Sequence, residues 1–92
     1  MSIKELFEAF SDPVRLRIIE LFRERDWTPS QLSDVLELSR PAVTHHLNIL
    51  RRAGVISCVK RGKKVICSLE LTVFQEIIKF ALGYLKEGKN EN

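Results

Sequence analysis

Apolar residues fall at helical intervals almost from the first position. Ile3, Leu6, Phe7 and Phe10 stand at i, i+3, i+4 and i+7, one face of a short amphipathic helix. Asp12 and Pro13 follow, an N-cap and then a residue whose missing N–H costs nothing in a first turn, so a second helix opens there. Val14, Ile18, Leu21 and Phe22 line its inner side, and Leu16 and Ile19 widen the stripe. A helix that broad in its apolar face is central, and it should run to about Arg25. Thr28-Pro29-Ser30-Gln31 joins an N-cap threonine, a proline at the first position and a glutamine at the third, the signature of a capping box. It predicts a short third helix from Pro29 to about Glu37 with Leu32, Val35 and Leu36 inward. Leu38-Ser39 is a brief turn, Ser39 can cap a fourth helix over 40–53, and Gly54 stands where a left-handed residue would end it. Two helices across so short a turn make a helix-turn-helix.

Past Gly54 the period changes. Val55 to Val59 and Val65 to Leu69 are β-branched runs around Lys60-Arg61-Gly62-Lys63-Lys64, which reads as a hairpin with a basic tip. Thr72 then opens a last helix whose Phe74, Ile77, Ile78, Ala81, Leu82 and Leu85 repeat at helical spacing. The expected fold is mainly α with a β-hairpin wing, a winged helix-turn-helix in the order α-α-α-α-β-β-α. Residues 1–88 form the single domain and 89–92 a disordered polar tail.

Length sharpens the picture. A chain of 92 residues buries only about 60–65% of its unfolded surface, so its stability is expected to be shared with a second subunit. The stripe from Phe74 to Leu85 exceeds what so small a core needs, and the face formed by Ile3, Leu6, Phe7 and Phe10 adds a second surplus. Packed on their symmetry mates, these two helices give an isologous homodimer interface. Two recognition helices would then lie about 34 Å apart, one turn of DNA, and read a palindromic site. No apolar run approaches the ~18–20 residues of a membrane span. The opening Met-Ser-Ile-Lys-Glu lacks the basic-then-apolar order of a signal peptide. The cytoplasm is the expected compartment, with no membrane partner.

Charge supplies the functional direction. Between Leu38 and Leu69 there is no acidic residue, while Arg40, Arg51, Arg52, Lys60, Arg61, Lys63 and Lys64 give that stretch a formal charge of +7. The flanks are net acidic: residues 1–37 hold five basic and eight acidic side chains, residues 70–92 three and four. A basic block within an otherwise acidic small domain is the footprint of a surface that meets a polyanion. Helical geometry divides the fourth helix into two faces. Val43, His46, Leu47 and Leu50 turn toward the core. Pro41, Thr44, His45, Asn48 and Arg52 share the other face, with Arg40 and Arg51 at its flank. Hydrogen-bonding residues early and cations late suit a helix entering the major groove. Ser30 and Gln31 in the preceding helix, Ser39 at the turn, and Lys60, Arg61, Lys63 and Lys64 of the wing complete the candidate double-stranded DNA contacts.

Consecutive histidines point about 100° apart on a helix and do not chelate one metal together. His46 is expected to be a hydrogen-bonded core residue and His45 a donor to base or phosphate. There are no paired carboxylates in a plausible pocket, no glycine-rich phosphate loop, and no Ser/Cys–His pair with a third partner, so an enzyme is not expected. No cofactor is expected either. A winged helix used for protein–protein contact is the competing class, disfavoured by the basic recognition helix and wing.

Ser11-Asp12-Pro13-Val14-Arg15-Leu16-Arg17-Ile18, Leu38-Ser39-Arg40-Pro41-Ala42-Val43-Thr44-His45-His46-Leu47-Asn48-Ile49-Leu50 and Ala53-Gly54-Val55-Ile56 together resemble the ArsR/SmtB family of bacterial and archaeal repressors, over about residues 3–85. The resemblance implies a homodimer built through the first and last helices, a palindromic operator and repression of transcription. It also implies that Ser39, Arg40, Pro41, Thr44, His45 and Asn48 face DNA. Two departures stand out. Where many members carry Cys-x-Cys before the third helix this chain has Asp26-Trp27-Thr28-Pro29-Ser30, and residues 72–88 contain neither Asp nor His. Metal sensing in the family's usual manner is therefore not expected, and the effector, small molecule or redox, is left unknown. A four-residue hairpin loop, Arg61 to Lys64, would set Cys58 and Cys67 opposite each other, whereas a three-residue loop would set Cys58 against Ile66. The pair reads either as two small half-buried apolar residues or as a wing disulfide.

Overall fold

The structure, a computed structural model, describes residues 2–90, with side chains as far as Lys86. Its elements are α1 (Ile3–Phe10), α2 (Pro13–Glu24), α3 (Pro29–Leu36), α4 (Arg40–Arg52), β1 (Ile56–Arg61), β2 (Lys64–Leu69) and α5 (Leu71–Asn90). Side-chain caps fix where the helices begin, because the first N–H groups of a helix have no partner within it. Asp12 Oδ2 accepts from the N–H of Val14 at 2.8 Å and of Arg15 at 3.1 Å. Thr28 and Gln31 exchange reciprocal bonds of 3.1 and 3.0 Å, and Ser39 Oγ accepts from Ala42 at 3.2 Å. The turn between α3 and α4 is tight enough to hold Glu37 at φ 56°, and the Leu38 N–H closes it on the Ser33 carbonyl at 3.1 Å.

The wing is a two-stranded antiparallel hairpin closed by Gly62 and Lys63, with Arg61 paired to Lys64. Gly62 takes φ 64°, which the first central residue of a II′ turn requires. The loop is thus two residues long, shorter than either length the sequence offered. Its register nevertheless sets Cys58 opposite Cys67. On the far edge of β2, Trp27 exchanges both backbone hydrogen bonds with Cys67, at 3.1 and 2.9 Å. The indole is buried, donates to the Leu21 carbonyl at 2.8 Å, and carries the Arg25 guanidinium 3.7 Å above its ring. The segment after α2 therefore clamps the wing to the body.

Ile18, Leu32, Val43, Leu50, Val55 and Cys67 are fully buried at the centre, each apolar side chain of that size contributing roughly 1.5–3 kcal/mol. Four placements differ from the periodic reading. Leu16 and Val35, expected inward, are exposed, because Ile18 with Ile19 and Leu32 with Leu36 already fill the contacts those helices make. Ile49, left unassigned, is buried. Leu6 turns into the core of its own chain beside Ala9, leaving Ile3 and Phe7 outside. At the other end, Val73 is buried and Phe74 and Ile77 pack against the core, but from Ile78 to Lys86 every residue of α5 is exposed. The helix continues past Gly88 to Asn90; residues 91–92 of the expected tail lie outside the described residues.

Candidate nucleic-acid interface

All thirteen side chains expected to meet DNA are exposed: Ser30, Gln31, Ser39, Arg40, Pro41, Thr44, His45, Asn48, Arg52, Lys60, Arg61, Lys63 and Lys64. Eight of them line two shallow depressions, and Ser39, Pro41, Thr44, Lys60 and Arg61 line neither. One is lined by Ser30 and Gln31 of α3, Arg40 at the start of α4, and Lys63 and Lys64 of the wing tip. The other is lined by His45, Asn48, Arg51 and Arg52 along α4. A cationic tip on one side and a cationic helix end on the other flank the polar start of α4. Lys60 and Arg61 lie on β1 outside both depressions.

Several of these groups are already engaged within the chain. Gln31 Oε1 accepts from the Thr28 N–H, which leaves its amide NH2 to face outward, and Ser39 Oγ is spent on capping α4. Arg52 lies 3.9 Å from Glu8 of α1 in an exposed ion pair, which is weak in water and readily exchanged for a phosphate.

Behind this surface is a polar cluster that periodicity does not reveal. Arg15 is only 7% exposed. Its Nη2 donates to the Glu8 carbonyl at 2.7 Å and its Nε to the Ala9 carbonyl at 3.2 Å, both in the last turn of α1. The Ala9 carbonyl faces Pro13 four residues on, which has no N–H to give, and the Glu8 carbonyl is shared with the Ser11 N–H at 3.3 Å and hydroxyl at 2.9 Å. Both stand at the negative end of the helix dipole, so a buried cation is satisfied there. Nη1 lies 3.1 Å from His46 Nδ1 on α4. Since a guanidinium only donates, Nδ1 is the acceptor and the imidazole is neutral, with its proton on Nε2. Burial holds the His46 pKa below the usual histidine value, with Arg15 and His45 pushing it the same way and Asp12, 4.0 Å away, opposing them. The Asp12 carboxyl is also held below its ordinary range, chiefly by the N–H of Arg15. His46 is thus a half-buried, hydrogen-bonded residue and His45 an exposed one.

In the wing, Cys58 and Cys67 are joined by a disulfide, with Cα atoms 4.0 Å apart. Because Cys67 spends its own N–H and C=O on Trp27, the two cysteines form a non-hydrogen-bonded pair, the closer kind of antiparallel pair. The bridge lies beneath the basic tip. Among the described residues, no group of three or more His, Cys, Asp or Glu is placed to hold a metal ion, and no helix is long and apolar enough to cross a membrane.

The profile described as "Bacterial regulatory protein, arsR family" matches residues 12–57, from the cap of α2 into β1. The transcriptional repressor SdpR of Bacillus subtilis is 36% identical over 89 residues, which span 97% of this chain and 99% of that protein. The chain belongs to the ArsR family. The HTH-type transcriptional repressor SmtB of Mycobacterium tuberculosis is 37% identical over 83 residues, 90% of this chain and 62% of that one. Among solved structures, HlyU from Vibrio cholerae superposes with a TM-score of 0.71 at 30% identity, covering 84% of each chain. An ArsR-like regulator from Rhodococcus reaches 0.86 at 25% identity, covering 97% of this chain and 82% of its own. This ArsR-family chain is a transcriptional regulator with a helix-turn-helix for DNA, not an enzyme.

Proposed function

We propose that the chain is a cytoplasmic repressor that binds a palindromic operator as a homodimer. In this reading α4 lies in the major groove, with Thr44, His45 and Asn48 at base edges. Arg40, Arg52 and the wing cations Lys60, Arg61, Lys63 and Lys64 meet phosphate on either side. The observation that carries it is the convergence of Arg40, Lys63 and Lys64 on one flank of the exposed polar start of α4. The dimer forms through α1 and α5. Ile3, Phe7, Ile78, Ala81, Leu82 and Leu85 supply its exposed apolar area. Leu6, Phe10, Phe74 and Ile77 back them from the core side. Leu71, Phe80 and Tyr84 belong with the exposed set although the sequence stripe omitted them. The regulator does not sense metal in the family's usual manner, since its α3 approach and α5 lack the family's usual ligands.

The test is affinity for a duplex from upstream of the chain's own gene, against random duplex, over a salt series. Preference for the upstream duplex, with log K falling steeply as log salt rises, is the expected result. A folded dimer that binds neither duplex at low salt would turn the basic block into a protein-docking face.

A further inference from the structure

Arg15 spans α1 and α4, and nothing in the DNA-facing set uses it. It holds two carbonyls at the end of α1 with Nη2 and Nε, and the recognition helix through Nη1 and His46 Nδ1. In the reading above, α1 belongs to the dimer and α4 to the groove. The Arg15–His46 contact therefore lies on the path between the two-fold axis and the base-reading surface. His46 is followed around the helix by the outward side chains of His45 and Asn48, so a shift of His46 moves them. We propose that Arg15 and His46 are positioning residues that set the recognition helix against α1, and that a proton on His46 breaks this link and weakens specific DNA binding. The proposal rests on the operator reading.

The chemistry is that of one atom changing role. Neutral, Nδ1 accepts from Arg15. Protonated, Nδ1 becomes a donor and the imidazolium faces a guanidinium 3.1 Å away, with both charges unfavourably placed in a partly buried site. A carboxylate acceptor then stands 4.0 Å away, Asp12 Oδ2, which already receives the N–H groups of Val14 and Arg15. A charge-assisted bond there requires an approach of about 1 Å, drawing α4 toward the start of α2. The proton comes from solvent and nothing else is consumed. The groups facing His46 are Glu8 through its carbonyl on the far side of Arg15, Asp12 and Arg15 from α2, and His45 on α4 itself. Among the described residues Asp12 is the one carboxylate that opposes Arg15 and His45, so the balance favours the neutral ring. The tether passes from Arg15 to Asp12 when the balance is overcome.

The experiment compares wild type with His46→Asn, whose side-chain oxygen can take the place of Nδ1 as an acceptor that does not titrate. Affinities for upstream and random duplexes are measured at pH 7.5 and pH 5.5 at fixed ionic strength, and the ratio is referred to each protein's own value at pH 7.5. The random duplex corrects for any change in overall charge that the two proteins share. The wild-type ratio should fall about fivefold, short of the tenfold that one pKa unit of difference gives when titration is complete, while the variant's ratio stays within about twofold. An equal fall in both overturns the link alone. A wild type with no preference at pH 7.5 removes the operator reading and the link with it. The unaltered chain gives a second readout independent of the variant's folding. Imidazole 15N shifts at pH 7.5 should show His46 protonated on Nε2 only, and a proton on Nδ1 would overturn the proposal.

Discussion

Arg15 and the neighbouring histidines show how far a single position can depend on partners distant in sequence. Arg15 sits between Val14 and Leu16, where period alone assigns it no face, and its partner His46 is 31 residues on. The inward direction of His46 and the outward direction of His45 were legible, because they follow from helical geometry within one element. The donor that satisfies His46 was not, because it depends on how α1 and α2 cross α4. Arg15→Met should lower unfolding free energy by about 2–4 kcal/mol in urea titration, since it leaves the Ala9 carbonyl and His46 Nδ1 without their buried donor, while the Glu8 carbonyl keeps Ser11. His45→Ala should leave stability nearly unchanged and cost about 1–3 kcal/mol of preference for the upstream duplex. Equal affinity of that variant for the operator would remove His45 from the base-reading set. Stability itself should depend on pH through His46. Its pKa is lower in the native state than in the unfolded chain, so the unfolded state binds the proton first. The contribution is therefore complete above the ordinary histidine value of about 6.5 and is lost as pH falls below it. Urea midpoints at pH 7.5 and 5.5 should separate more in wild type than in His46→Asn.

At the level of the elements, local chemistry was the most legible layer. The caps at Asp12, Thr28 and Ser39 are short-range bonds between residues two or three apart, and the boundaries of the second, third and fourth helices follow them to within a residue. Tertiary competition was less legible. Val35 and Leu16 fit an inward stripe but lose their places to better-aligned neighbours. The hairpin shows a third kind of case. Loop length could not be fixed from residues alone, because Arg61 and Lys64 pair across a turn that needs only Gly62 and Lys63. Trp27 joining the edge of β2 had no sequence signal at all, since a single bridge has no period. The Cys58–Cys67 bond closes a short loop of separation 9, and by the chain-entropy argument its reduction should destabilise the hairpin by about 2–3 kcal/mol. Thiol titration before and after a reductant, alongside urea unfolding, checks this. Two free thiols in protein purified in air would remove the bond from the native chain.

The whole molecule measures 55 × 25 × 22 Å with a radius of gyration of 15.5 Å, against about 12 Å for a compact domain of this length. The excess comes from α5, which leaves the body after Ile77 and exposes Ile78, Phe80, Leu82, Tyr84 and Leu85. Phe80 and Tyr84 lie 6.4 Å apart, ring to ring, and a largely apolar groove lined by Ile3, Leu6, Phe7, Phe10, Ile77 and Phe80 runs between α1 and α5. The sequence revealed that the apolar surface was in surplus, but not that its arc on α5 is wide enough to include Leu71, Phe80 and Tyr84. The exposed half of α5 has a thermodynamic consequence. A chain whose last helix is completed only by a second copy has no fixed melting temperature; its folded fraction follows mass action. The midpoint should rise as protein concentration is raised through the micromolar range, and an unchanging midpoint would mean the lone chain is self-sufficient. In the proposed dimer, dilution would separate the two recognition helices and destabilise each chain together, so the cellular amount of the regulator would set how much of it persists against proteolysis as well as how much operator it fills.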